Sequence, residues 1–172
     1  MKMKKTGIAF VILLAVSTVF YFIFDRLGGN NPIEIELVEA SPPTLAGKYF
    51  IGQPQDQELG NTFRSIETLL SLNPGKKIHT IYFEEPKGKL DTMKVFVALD
   101  LPFAPADLEL LGFAETRHMR ATIKRNKWVM PSPDQVKKEI EASAKSRNLS
   151  LSGIFIDRII SESEVQVIAP IR

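Results

Sequence analysis

The sequence contains no cysteine and only two histidines, His79 and His118. Without cysteine the fold has no disulfide to support it and no thiol chemistry. Two separate histidines do not form the clustered ligand sets that zinc sites use. The sequence also lacks a glycine-rich phosphate loop and a nucleophile elbow. We therefore expect no metal and no cofactor, and we assign no catalytic residue.

Charge is absent from one long run, Gly7–Phe24, which reads GIAFVILLAVSTVFYFIF. A helix rises about 1.5 Å per residue, so a helix of this length reaches roughly 27 Å, close to the hydrocarbon thickness of a bilayer. A cleavable signal peptide is the alternative, but it needs small residues at its end. The run ends instead in bulky side chains, Phe20–Phe24, which favours an uncleaved single-pass transmembrane anchor.

Basic residues near the ends of the apolar run predict its orientation. Lys2, Lys4 and Lys5 precede it, whereas Asp25 and Arg26 follow it. By the positive-inside rule the N-terminus stays cytoplasmic and the following domain is extracytoplasmic, or periplasmic if the cell is bacterial. The net charge of the chain is +2, and without the charges of these three lysines it is −1. The net charge of the rest of the chain therefore does not indicate a nucleic-acid partner.

The remaining sequence predicts one domain, 33–172, joined to the anchor region 1–26 by a linker of turn-forming residues, 27–32. Alternation predicts strands, and an apolar stripe at helical spacing predicts a helix. A Ser-Pro-Asp-Gln capping box marks the start of a second helix. The predicted strands are Ile33–Ala40, Gly47–Gly52, Lys77–Glu85, Thr92–Leu101, Phe113–Asn126, Leu151–Ile160 and Val165–Ile171; the helices are Glu58–Leu72 and one beginning at Ser132–Gln135; a turn is predicted over Pro86–Asp91.

The order strand, helix, strand, strand occurs twice in this list. Ile78–Phe83 and Phe155–Ile160 are offset by 77 residues, and the helices by about 75. We therefore predict an α+β fold from a duplicated unit, with one antiparallel sheet, two helices on one face and a groove between the two halves.

The segment Ile81–Pro86, IYFEEP, closes the first half and carries a resemblance to the GyrI-like family. That family includes the effector-binding domains of AraC- and MerR-type transcription regulators. Its first-half signature is an aromatic pair followed by acids and proline, which this segment matches. In the second half the family has a glutamate two residues before a tyrosine; Asp157 and Ile159 stand at those places, so one aromatic wall and one hydroxyl are lost. The resemblance covers roughly 33–172 and implies a small-molecule groove between the halves.

Strand alternation and the 77-residue offset place the candidate side chains on one face. Tyr82 and Glu84 share a face of one strand, and Phe155, Asp157 and Ile159 share the corresponding face of another. These five are the predicted ligand-binding residues. A carboxylate between apolar neighbours needs a donor or a cation, or it keeps its proton. A planar cationic or amphipathic ligand stacked on Tyr82 would supply that charge.

Simpler explanations remain open at this point. Asp157 could be solvated at a strand end, or matched by Lys124 or Arg120, and Glu84 could be merely solvated. The basic, aromatic-tipped stretch from Arg117 to Trp128 is interpreted first as a solvated strand with Trp128 packed at the helix entry. Anionic lipid headgroups or a protein partner are the alternative, and nucleic acid is disfavoured because the charges alternate between both strand faces.

The sequence thus favours a membrane-anchored module that binds a small amphipathic or cationic ligand. One alternative is a membrane-tethered protein-interaction or regulatory module without a ligand. A GyrI-like hydrolase is the other, with Asp157 as a general base.

Overall fold

A computed structural model shows one antiparallel sheet of eight strands and three α-helices. It describes residues 2–86, 88, 90–105 and 107–172, with side chains from Gly7 onward. The spatial order of the strands is β1-β6-β8-β7-β3-β4-β2-β5. The elements are α1 Lys2–Arg26, β1 Glu34–Val38, β2 Leu45–Gly52, α2 Gln57–Leu72, β3 Ile78–Glu84, β4 Met93–Leu99, β5 Glu109–Leu111, β6 His118–Lys124, α3 Pro133–Ser146, β7 Ile156–Ser161 and β8 Glu164–Pro170, with a single 3-10 turn at Lys127–Val129. The α+β class and the antiparallel sheet predicted from sequence are confirmed.

Helix α1 carries no charged residue from Gly7 to Phe24, and its side chains from Gly7 to Arg26 are exposed. Among the described residues it is the one helix long and apolar enough to cross a membrane, judged by length and composition.

The segment after α1 is bound to the domain rather than free. The backbone N–H of Asn126 donates to the carbonyl of Leu27 at 2.9 Å. The Asn31 amide donates to the carbonyl of Lys124 at 2.7 Å, and the Arg125 guanidinium donates to the carbonyl of Asn31. The predicted linker is therefore a turn docked against the end of β6.

Helices α2 and α3 cover the same face of the sheet. On β3, Ile78 packs into the cluster beneath α2, which includes Ile66 and Val97. Tyr82, which shares the face of Ile78 because strand side chains alternate, lines a cleft with residues of α3. A second cluster, which includes Ile140, fills the space beneath α3. Two apolar cores therefore sit side by side under two helices.

The N-terminus of α3 forms as the capping pattern predicts. Ser132 is the N-cap, and its hydroxyl oxygen accepts from the backbone N–H of Gln135 at 3.3 Å. The Gln135 side chain does not bond back to the backbone of Ser132, as a full capping box requires. Its amide donates instead to Glu139 at 3.2 Å. The cap fixes where α3 begins and hence where its first turn meets the sheet.

Several predicted boundaries differ from the structure. The strand predicted over Phe113–Asn126 begins only at His118, because the preceding segment crosses the helix-free face, where Phe113 packs with Ile81 and Phe96. Strand β5 was not predicted. Leu151 forms only an isolated bridge to Ile171, and β7 begins at Ile156. The predicted turn Pro86–Asp91 includes Lys87 and Lys89, which lie outside the described residues.

A glycine substitution tests the docked turn. Gly28 has φ +82°, and a Cβ there would lie 2.8 Å from the Asn31 amide nitrogen and 3.0 Å from the carbonyl oxygen of Lys124. Gly75 has φ +88° but open space around its Cβ position. Both Gly→Ala changes carry the left-handed backbone cost of about 1–2 kcal/mol. We expect Gly28→Ala to lower thermal stability more than Gly75→Ala does; equal losses would show that the turn is not tightly docked.

Candidate functional site

Strands β3 and β7 meet in the middle of the sheet through a short contact. Their antiparallel register joins Ile78 to Ile159, His79 to Arg158 and Thr80 to Asp157, and it ends there. Beyond Thr80 the two strands separate, although continuation of the register would set Tyr82 opposite Phe155. The separation leaves a cleft on the helix-covered face, and we call it the central groove.

The central groove has a volume of about 340 Å³, within the usual range for small-molecule sites. An adjoining apolar pocket of about 120 Å³ lies under the start of α3. Asp157, Pro133 and Lys137 line both, so the two spaces adjoin the same carboxyl group. The groove is lined by Tyr82, Glu85, Pro86, Pro133, Lys137, Phe155 and Asp157.

Asp157 supplies a partly buried carboxyl to this groove. Burial raises its pKa, the Lys137 ammonium lowers it, and the Glu85 carboxylate adds a smaller increase; together they bring the pKa from 3.8 to about 6. Among the described residues no donor hydrogen-bonds this carboxyl. Near neutral pH it therefore carries a negative charge with little compensation, which is the state that attracts a cation.

Lys137 of α3 brings a positive charge into the same space. Its ammonium forms an ion pair with Glu85 and lies 5.4 Å from the ring centroid of Phe155. This combines charge pairing with a cation–π contact. The protein thus shows that the groove accommodates a cation next to an aromatic ring.

A β-bulge at the end of β3 decides which acid faces the groove. The pairing of β3 with β4 shifts between Tyr82 and Glu84. Such a bulge breaks the alternation of side chains. Glu85 consequently lines the groove beside Tyr82, whereas Glu84 does not line it. Burial, with the charges of Asp157 and Glu85, raises the pKa of the Tyr82 phenol, so the phenol stays neutral.

The structure brings three of the five predicted ligand-binding residues together: Tyr82, Phe155 and Asp157. Ile159 lines a separate recess near the end of α2, with Leu70 and Ile78. Glu84 lies outside the groove, because simple alternation overlooks the bulge.

The cations proposed as simple partners for Asp157 are engaged elsewhere. Arg120 pairs with Glu36 at 2.7 Å, and Lys124 with Glu34 at 3.4 Å. Sequence reasoning missed Lys137, whose only signal was its position in the first turns of the capped helix α3. No group of three histidine, aspartate or glutamate side chains suited to a metal occurs within the part of the chain that the structure describes.

The pH dependence of stability tests the environment of Asp157. Because its folded pKa is raised above 3.8 to about 6, folding favours the protonated form. The contribution of protonated Asp157 to the free energy of unfolding is fully present below pH about 4 and is lost as pH rises through about 6. The loss is roughly 1–3 kcal/mol. Asp157→Asn should therefore be more stable than the wild type above pH 6, and the difference should vanish near pH 4 in thermal unfolding.

Glu84→Gln is the matched control, since it removes one exposed carboxylate from the neighbouring strand. An Asp157→Asn variant that is destabilised equally at every pH would contradict a desolvated carboxyl.

Solved structures share this fold. A hydrolase encoded by lin2189 from Listeria innocua superposes with a TM-score of 0.58 at 7% identity, covering 87% of this chain and 98% of that one. An uncharacterized conserved protein from Listeria innocua gives 0.59 at 8% identity, with 81% and 92% coverage. The C-terminal domain of EcmrR gives 0.54 at 12% identity, with 81% and 98% coverage. No family model and no curated protein matches the sequence. At these identities the likeness concerns the fold alone.

Proposed function

We propose that the central groove binds a small amphipathic monocation. One observation carries this proposal: a poorly compensated carboxyl, Asp157, lines a groove of about 340 Å³ together with two aromatic side chains, Tyr82 and Phe155. An aromatic cation could contact either ring, each contact worth about 0.5–2 kcal/mol. Its charge would compensate the carboxylate in a partly desolvated site, where charge pairing is stronger than in water.

The charge balance of the groove supports a monocation. Its ionisable groups at neutral pH are the carboxylates of Glu85 and Asp157 and the ammonium of Lys137. Two negative charges and one positive charge leave a net charge of −1. A ligand with a single positive charge would neutralise the site, whereas an anion would meet both carboxylates.

Lys137 shapes the entrance to this site. Its ammonium pairs with Glu85 and lies over Phe155, so it occupies part of the space that a ligand cation would use. Binding would require Lys137 to swing away from the ring towards solvent, a motion that a long, flexible side chain permits. We infer that Lys137 is an internal competitor for the ligand.

Membrane attachment through α1 is the second part of the proposal. Region 1–26 would be an uncleaved anchor, 27–32 the docked connection and 33–172 the ligand-binding domain. The lysines before the apolar run favour a cytoplasmic N-terminus and an extracytoplasmic domain.

Internal duplication accounts for the position of the groove. The strand order β6-β8-β7 on one side of the centre corresponds to β2-β4-β3 on the other. The bulge between Ile159 and Ser161 lies 77 residues after the bulge between Tyr82 and Glu84. A duplicated unit would place the ligand where the two copies meet.

A hydrolytic function is the second candidate. The pKa of Asp157, about 6, suits a general base working near neutral pH. It would activate a water in the groove for attack on a bound electrophile. This candidate requires turnover that Asp157→Asn abolishes, whereas binding alone requires none.

Ligand binding is tested with the full chain in lipid nanodiscs and ethidium, a planar aromatic monocation, as the probe. We expect saturable binding that Asp157→Asn weakens at least about tenfold, since a charge contact in a partly buried site is worth about 1.5–3 kcal/mol. Affinity for the wild type should rise with pH through about 6, as Asp157 ionises. Fluorescence titration measures both effects.

Two further variants complete the experiment. Glu84→Gln should bind like the wild type, because Glu84 lies outside the groove. Lys137→Gln should bind ethidium more tightly, because the competing cation is gone. If the wild-type protein does not bind ethidium, the result would favour the protein-interaction alternative.

Membrane attachment is tested separately with a reporter fused after Arg172. We expect the full chain to resist extraction by alkaline carbonate and the reporter to be active only in an extracytoplasmic location. Release by carbonate, or a cytoplasmic reporter, would contradict the anchor or its orientation respectively.

A further inference from the structure

The exit of α1 is tied to the segment that follows β6. The Asn126 N–H donates to the carbonyl of Leu27 at 2.9 Å, one residue after α1 ends. The bonds of Asn31 to Lys124 and of Arg125 to Asn31 hold the same junction. The start of the loop between β6 and α3 is therefore fixed at the level where α1 leaves its apolar stretch.

This loop carries the most exposed large apolar side chain of the described residues. Trp128 is 79% exposed, so the expectation that it packs at the helix entry is wrong. Its backbone is nevertheless ordered by the short helix Lys127–Val129, because the Asn126 side chain accepts from the Trp128 N–H at 3.2 Å. The Lys127 ammonium lies 5.6 Å from the indole ring centroid. A fixed backbone that presents a solvent-facing indole with a cation beside it has no explanation within the fold.

The position of Trp128 along the membrane normal follows from chain geometry. Leu27 lies three residues beyond Phe24, the last apolar residue of α1, which places it about 4.5 Å further along the helix. Trp128 is two residues from Asn126, so their Cα atoms are at most about 7 Å apart. The interfacial layer on each side of the hydrocarbon core is roughly 5–7 Å thick. Trp128 is therefore within reach of the headgroup layer when α1 spans the bilayer.

We propose that Trp128, assisted by Lys127 and Arg26, is an interfacial anchor that inserts at the headgroup level of the membrane that α1 crosses. This proposal rests on the membrane insertion of α1 proposed above. Tryptophan favours this layer because its ring is apolar and its indole N–H is polar, and lysine and arginine reach the headgroups. The anchor adds a second attachment point beside α1 and so limits how far the domain can tilt.

The bilayer is a better partner for Trp128 and Lys127 than a soluble protein is, because these residues adjoin the end of α1 directly. The contact does not depend on a strongly basic surface, since Lys124 is paired with Glu34 and Asp25 lies beside Arg26. The indole, rather than net charge, is the main determinant, so zwitterionic lipid should suffice.

The experiment uses the intrinsic fluorescence of the full chain, in which Trp128 is the single tryptophan. The protein is reconstituted into phosphatidylcholine vesicles whose acyl chains carry bromine either near the headgroup or near the chain end. We expect Trp128 emission shifted to shorter wavelength, strong quenching by the shallow bromines, weaker quenching by the deep ones and poor quenching by aqueous acrylamide. Emission typical of water with ready acrylamide quenching would overturn the proposal.

A relocated tryptophan separates this proposal from the insertion of α1. The double variant Tyr21→Trp, Trp128→Phe reports only from within α1. If its fluorescence is quenched by bromolipid while that of the wild type is not, α1 is inserted and the interfacial anchor alone is wrong. If neither is quenched, α1 is not inserted, and both proposals fail.

Discussion

The short pairing of β3 with β7 is the constraint on which the rest of the structure depends. Three residue pairs join the two halves of the sheet, and the pairing stops at Thr80 and Asp157. If the pairing were longer, Tyr82 would lie against Phe155 and the groove would be closed. If β3 and β7 did not pair at all, the two apolar cores would be separate. Because the ladder ends there, backbone hydrogen bonding holds the halves together while a carboxyl and two aromatic side chains remain open to a ligand.

In the groove, burial disfavours the charge of Asp157, and Lys137 compensates that charge only in part. Burial raises the pKa of Asp157, and Lys137 opposes that shift without a hydrogen bond to the carboxyl. Lys137 is itself paired with Glu85 and packed over Phe155. Removing a charge from water is costly unless it is well paired. The groove therefore contains a charge with little compensation, which lowers stability.

The docked turn after α1 links the groove to the membrane proposal. The contacts of Leu27 and Asn31 with the end of β6 fix α1 relative to the sheet. The chain then passes Trp128 and, two residues later, Met130, which lines the apolar pocket beside Asp157. A domain held in this way would present the pocket close to the bilayer surface, where amphipathic molecules concentrate.

The sequence by itself determined the apolar helix α1, the alternating strands, the helix α2 and the cap at Ser132, because each depends on side chains close together along the chain. It also gave Tyr82, Phe155 and Asp157 as candidates, through strand alternation combined with the 77-residue offset and the family resemblance. Only the tertiary structure decided that Glu85 rather than Glu84 faces the groove, since a bulge against β4 shifts the register. The same holds for Lys137: only the packing of α3 onto the sheet brings its ammonium to Glu85 and Phe155, 52 residues earlier and 18 residues later in the chain.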